Sequence, residues 1–184
     1  MHRAHTYDDP WAEADFGALR YRVPNGPLRA AALRRHDLHH VATGYPTDWR
    51  GEAEISAWEL ASGAGRQPYA WLIALWGLFT GLVMHPRATW AAFRRGWGSR
   101  NLYGAAFDER RLLAATVGEL KAALDVADDR PGTAGGALAF AGWSALALAL
   151  GAVSLLPAAA LVALAGARAA AGACRCPLAC RAMA

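Results

Sequence analysis

The sequence predicts an all-α protein: a compact helical domain built on a metal-binding helical hairpin, followed by a C-terminal hydrophobic membrane helix or helical hairpin. Three observations predict this. Helix start and stop signals punctuate residues 20–130 at short intervals, and the run 131–167 contains no charged residue. The composition is 55% apolar and only 18% charged, with a mean hydropathy of +0.12. That is too apolar for an ordinary cytosolic enzyme and too charged for a polytopic transporter, so a membrane-associated protein fits best. The chain divides into an N-terminal extension (1–19), the helical domain (20–130), a hydrophobic membrane segment (131–173) and a Cys/Arg tail (174–184).

Tyr21 to Pro27 reads as a turn-rich approach in which Asn25 or Gly26 caps a helix and Pro27 takes its first position. Leu28, Ala31, Ala32, Leu33, His36 and His40 fall on one side of that helix, and Gly44 with Pro46 stops it. Asp48 caps the next helix, which runs to about Ala61 and ends in Ser62-Gly63-Ala64-Gly65. So short a connection predicts an antiparallel hairpin that returns Glu52 to the side of His40. Glu59, two turns on along the same face, reads as a solvated or ion-paired carboxylate, with a supporting or proton-relay role as the alternative; Glu54 reads as surface.

Pro68 to Met84 is apolar on all sides and must be buried or lipid-facing; it reads as a core helix, with partial membrane insertion as the alternative. Pro86 to Gly96 mixes Trp90, Phe93, Arg94 and Arg95, which suits either a membrane interface or an amphipathic packing helix with exposed arginines. Asp108 starts a short helix, and Thr116-Val117-Gly118-Glu119 forms a capping box that starts another. Asp125 to Gly132 is a polar hinge and the expected domain boundary. Beyond it, a continuous uncharged helix would be roughly 55 Å long against a hydrocarbon core of about 30 Å. Pro157 is the expected break, leaving a span from about Gly135 to Leu156 and a weaker helix from Pro157 to about Ala167.

The chemistry is concentrated in His36-Asp37-Leu38-His39-His40 and Glu52. His36 and His40 stand one turn apart on a helix, with Asp37 about 100° from one and about 60° from the other, so two imidazoles and a carboxylate can converge. Glu52 arrives from a second element, which a surrounded ion requires. Such a donor set suits Zn²⁺, with Fe²⁺ or Mn²⁺ as alternatives, better than copper.

The pattern H-D-x-x-H, eleven residues, E is similar to the signature of the coenzyme Q (ubiquinone) biosynthesis protein four family, and every fixed position of it is present. Tyr21 to Pro27, Thr43-Gly44-Tyr45, Gly51-Glu52-Ala53, Asn101-Leu102-Tyr103 and Glu119-Leu120-Lys121 also resemble family segments, covering roughly residues 20 to 126. After Arg130 the chain departs from the family. The resemblance implies metal ligation by His36, Asp37, His40 and Glu52, with His39 in a supporting position or on the surface. It also implies a role in ubiquinone synthesis at a membrane: oxidative decarboxylation at ring carbon one of a polyprenylated benzenoid, which exchanges carboxylate for hydroxyl. The helix from residue 69 to 84 would then line a groove for the isoprenoid tail. The expected partners are the polyprenylated quinone precursor, membrane lipid, and other quinone-biosynthesis enzymes or a second copy. The alternative is a non-catalytic lipid-binding scaffold that organises those enzymes around a structural metal. A His-Asp phosphohydrolase shares the His36-Asp37 pair but needs further, separated His and Asp ligands, and His85, next to Pro86 with no supporting pattern, is the only domain histidine after the motif.

Net charge is +4, and arginine supplies all but one of the 19 basic residues. This suits anionic headgroups or a phosphate-bearing ligand, and is too modest and too poorly interleaved with aromatics for nucleic acid. Residues 1–19 carry Asp8, Asp9, Glu13 and Asp15 and no apolar core, so no targeting peptide is expected and the main domain is expected in the cytoplasm. Cys174, Cys176 and Cys180 lack the spacing and the fourth ligand of a zinc site.

Overall fold

The computed structural model describes residues 9–16, 19–104 and 108–173. Cys174, Cys176 and Cys180 lie outside the described residues. The fold is all-α, with seven helices among the described residues and a single two-stranded hairpin. The hairpin pairs β1 (Trp11–Phe16) with β2 (Leu19–Pro24) antiparallel, Trp11 opposite Pro24 and Phe16 opposite Leu19. It replaces the expected irregular approach to the first helix. Its signal is the alternation of Leu19, Tyr21 and Val23 with Arg20 and Arg22, the two-residue period of a strand.

Helix α1 (Pro27–Thr43) begins with Pro27 after Gly26 and ends at Gly44, which is left-handed at φ 77° and returns its N–H to the His40 carbonyl. Helix α2 (Trp49–Ser62) is capped by Asp48, whose Oδ1 accepts from the Gly51 N–H at 2.8 Å. Gly51 is needed for a second reason. A Cβ there would run into the Pro46 backbone carbonyl, so the tight α1–α2 connection closes only on a residue without a side chain. That connection carries Glu52 back to α1.

From Ala53 to Leu60 every residue of α2 is buried, which makes it the central helix of the domain. Ile55 and Trp58 pack with Ala42, Leu102, Leu120 and Leu124 on one side. On another, Ala57 and Leu60 meet Ala74 and Leu78 of α3 (Pro68–Met84) and Phe93 of α4 (Pro86–Gly96). Burial of each such large side chain contributes about 1.5–3 kcal/mol, so α2 holds its place through many neighbours. Glu54 is buried rather than on the surface, because from Ala53 to Leu60 no face of α2 is free; Arg50 Nε donates to its Oε1 at 3.3 Å.

Helix α4 packs Phe93 fully inside the core, and its arginines serve as ties. Arg95 Nε donates to the Ala127 carbonyl at 2.6 Å and Arg94 Nη1 to the Arg130 carbonyl at 2.7 Å, so the expected polar hinge is pinned to α4. Asp108 caps α5 (Glu109–Ala114), and Thr116 with Glu119 forms a reciprocal capping box on α6 (Val117–Leu124).

Helix α7 (Ala134–Ala173) runs through Pro157 without the expected break. Proline forfeits one backbone hydrogen bond and crowds the preceding turn, at about 3 kcal/mol, but does not forbid a helix whose other bonds remain. Ala134–Leu156 is long and apolar enough to cross a membrane. The chain divides into two compact units, Met1–Ala147 and Leu148–Ala184. Residues 139, 140, 143 and 147 of α7 thus belong to the core of the first unit, with Trp143 stacked on Trp71 at 5.0 Å.

Candidate metal centre

The hairpin brings three of the four expected ligands together: donor atoms of His36, His40 and Glu52 all lie within 4.8 Å of one another. The two Nε2 atoms are 3.2 Å apart, and Glu52 Oε2 is 3.2 Å from His36 Nε2 while Oε1 is 3.4 Å from His40 Nε2. Asp37 is not in this group. One residue after His36 on a helix it is turned by about 100°, and here that points to the exposed side of α1.

The other ring nitrogens decide what these atoms can do. His40 Nδ1 lies 3.0 Å from the Tyr45 carbonyl, which only accepts, so Nδ1 carries the proton. His36 Nδ1 is 3.0 Å from Glu59 Oε1 and donates to it. In the neutral rings both Nε2 lone pairs then face each other and the Glu52 carboxylate, an arrangement that repels unless a proton or a metal ion sits among them. A carboxylate or carbonyl on the far nitrogen is the arrangement that orients metal-bound histidines. The residues therefore fit a divalent ion.

Glu59 is 1% exposed and collects three donors on Oε1: His36 Nδ1, His39 Nδ1 at 2.7 Å and the Tyr103 hydroxyl at 3.0 Å. His39 is fully buried, and its Nε2 accepts from the Leu102 N–H at 3.0 Å, so it is neutral with its proton on Nδ1. Burial pushes its pKa down further, and burial together with the Glu59 charge pushes the Tyr103 hydroxyl up. Glu59 thus belongs to the site as a buried carboxylate, not a solvated one, and His39 is one of the groups that hold it.

Charge balance points the same way. Burial disfavours a charged His36, yet Glu59 and Glu52 outweigh it and hold its pKa up to about 10. Burial raises the two glutamates, but the histidines bring each down to about 2. Two carboxylates beside neutral imidazoles carry a charge of −2. One proton on His36 cancels half of that, and a divalent cation cancels all of it.

From the sequence Glu59 has a supporting or proton-relay role only as the alternative, and Tyr103 has none. The available signals were the seven-residue spacing from Glu52 to Glu59, two turns along one face, and the Asn101-Leu102-Tyr103 segment. Asn101 fixes that segment by donating from Nδ2 to Ser62 Oγ at 2.9 Å. Comparison of the chain with family models, with curated proteins and with solved structures finds no match.

Proposed function

We propose that this chain is a membrane-bound metalloprotein that holds a divalent ion at His36, His40 and Glu52 and acts on the ring of a polyprenylated benzenoid precursor of ubiquinone. The observation that carries the reading is the number of converging ligands. Among the described residues three protein donors converge, the complement of a catalytic centre that keeps a position open, whereas structural centres close with four. This favours an enzyme over a scaffold with a structural metal. The choice of ring and tail rests on the resemblance of the His36-Asp37-x-x-His40 and Glu52 pattern to the ubiquinone-biosynthesis family.

The reaction implied exchanges a ring carboxyl for a hydroxyl. The bond from ring carbon one to the carboxyl breaks and carbon dioxide leaves; a bond to one atom of dioxygen forms. Two electrons and two protons from a reductant take the other atom to water. Two histidines and one carboxylate suit Fe²⁺ as well as Zn²⁺; bound iron would supply the one-electron chemistry that dioxygen needs, and zinc only Lewis acidity. The chain's own residues do the positioning. Glu59 and the Tyr45 carbonyl hold both Nε2 atoms toward the shared point, and His39 and Tyr103 hold Glu59. Asp37 is left outside as a ligand.

The test is turnover of a prenylated hydroxybenzoic acid by the full chain loaded in turn with Fe²⁺, Zn²⁺ and Mn²⁺, in the presence of dioxygen and of ascorbate as the two-electron reductant, with carbon dioxide release and phenol formation followed by mass spectrometry. One metal should support turnover and His40→Ala should abolish it. Stoichiometric lipid binding without turnover by any loaded form would reject the enzyme and leave the scaffold.

A further inference from the structure

Helix α3 contains no charged residue from Pro68 to Met84, yet only one of its faces is packed. Ala70, Ala74, Leu78 and Gly81 are buried, while Leu72, Trp76, Val83 and Met84 are 47%, 37%, 65% and 57% exposed. The first turns of α7, residues 134–147, lie against the same layer through Trp143 on Trp71 and through Phe140, 5.1 Å from Phe93. Their outward side is apolar too, with Leu138 77% and Leu146 48% exposed. A helix packed on one side and wetted on the other takes polar residues on the wet side. Two neighbouring helices that both decline to do so present an apolar surface that needs an occupant.

The chain indicates which occupant. Arg66 and Arg87 bracket α3, one beyond each end, where long cationic side chains meet lipid phosphates. The apolar run of α7 continues past Ala147 and is uncharged to residue 167, so the surface is continuous in sequence with a helix able to cross a membrane. A protein partner would be met by a polar rim around an apolar centre, and α3 has no polar rim along its length.

We propose that α3 and residues 134–147 of α7 lie together in the apolar part of an anionic bilayer, α3 as an embedded helix with one face on the domain and the other on lipid. At seventeen residues α3 is about 25 Å long, short of a crossing, which suits embedding. Its inner face sits directly on the helix that carries Glu52. A side chain at Gly77 would collide with Ser56 of α2, so nothing separates the embedded helix from the metal-bearing one. This placement stands independently of the metal and of the reaction.

The experiment uses the full chain in vesicles of equal parts phosphatidylcholine and phosphatidylglycerol, with and without brominated acyl chains. The fluorescence contributed by Trp76 is taken as the difference between the native chain and Trp76→Phe, a conservative change on an outward face. That component should fall at least about twofold in brominated vesicles and resist aqueous acrylamide. Quenching by acrylamide and not by bromolipid would overturn the proposal by placing α3 in water. Protection from both would overturn it in favour of a second copy or another protein on this face.

Discussion

His36 Nδ1 lies 3.0 Å from Glu59 Oε1, so a buried carboxylate two turns beyond Glu52 fixes the ring whose other nitrogen faces Glu52 and His40. The relationship links the far end of α2 to the ligand set at its start. Loss of Glu59 should therefore act through His36. Glu59→Gln keeps the shape but removes the charge, and should weaken metal binding by about 10–100-fold. Competition with a chromophoric chelator reads this directly; unchanged affinity would make Glu59 a purely structural buried acid.

Metal uptake should depend on pH with a definite sign. Without metal His36 is protonated below about 10, and a ligand must be neutral, so each ion bound near neutrality displaces one proton. Affinity should rise about tenfold per pH unit over the neutral range. Calorimetry in buffers of different ionisation enthalpy counts the proton; a value of zero would mean His36 is neutral before the ion arrives.

The metal-free fold has its own pH window. The folded pKa of His36 is raised above its ordinary 6.5, so its contribution to stability is fully present below that value and is lost as pH rises through about 10. Glu59 is depressed from 4.5 to about 2, so its contribution is present above 4.5 and is lost as pH falls through about 2. Denaturant midpoints of the chelated protein should decline at both ends. A midpoint flat from pH 7 to above 10 would remove His36 from the ledger of this fold.

Gly51→Ala places a methyl group against the Pro46 carbonyl. Because both sides of that contact are backbone, the hairpin must open slightly, at about 1–3 kcal/mol. Stability and metal affinity should fall together, since Glu52 is the next residue. Thr116→Ala removes the capping box of α6 and should lose about 1 kcal/mol with metal affinity intact. If both variants lost affinity equally, hairpin closure would not be the specific cause.

The helices were legible because their ends are local chemistry. Pro27, Gly44, Asp48, Thr116 and Glu119 act on backbone groups a few residues away, and the periodicity between them needs no tertiary knowledge. The convergence of His36, His40 and Glu52 was legible because one helical turn and one short connection fix it. Asp37 shows where spacing alone runs out: an angle of about 60° from His40 permits convergence, and only the packing of α1 decides which side faces inward. Glu54, Glu59 and His39 depend on α2 being enclosed on every side, a property of its neighbours rather than of its own residues. The β1–β2 hairpin was hidden by the acidic residues that marked its first strand as an extension. The unbroken α7 was hidden because the sequence shows the cost of Pro157 but not the hydrogen bonds that offset it.

The central claim is that His36, His40 and Glu52 hold one divalent ion. The most direct measurement is elemental analysis of the full chain, purified without chelator and without oxygen, beside the His36→Ala variant. One equivalent of zinc, iron or manganese per chain, lost in the variant, is the predicted result. A native chain that carries none of the three, and takes up none when each is supplied in excess, would contradict the account and leave the cluster as a protonated His36 clasped between two carboxylates.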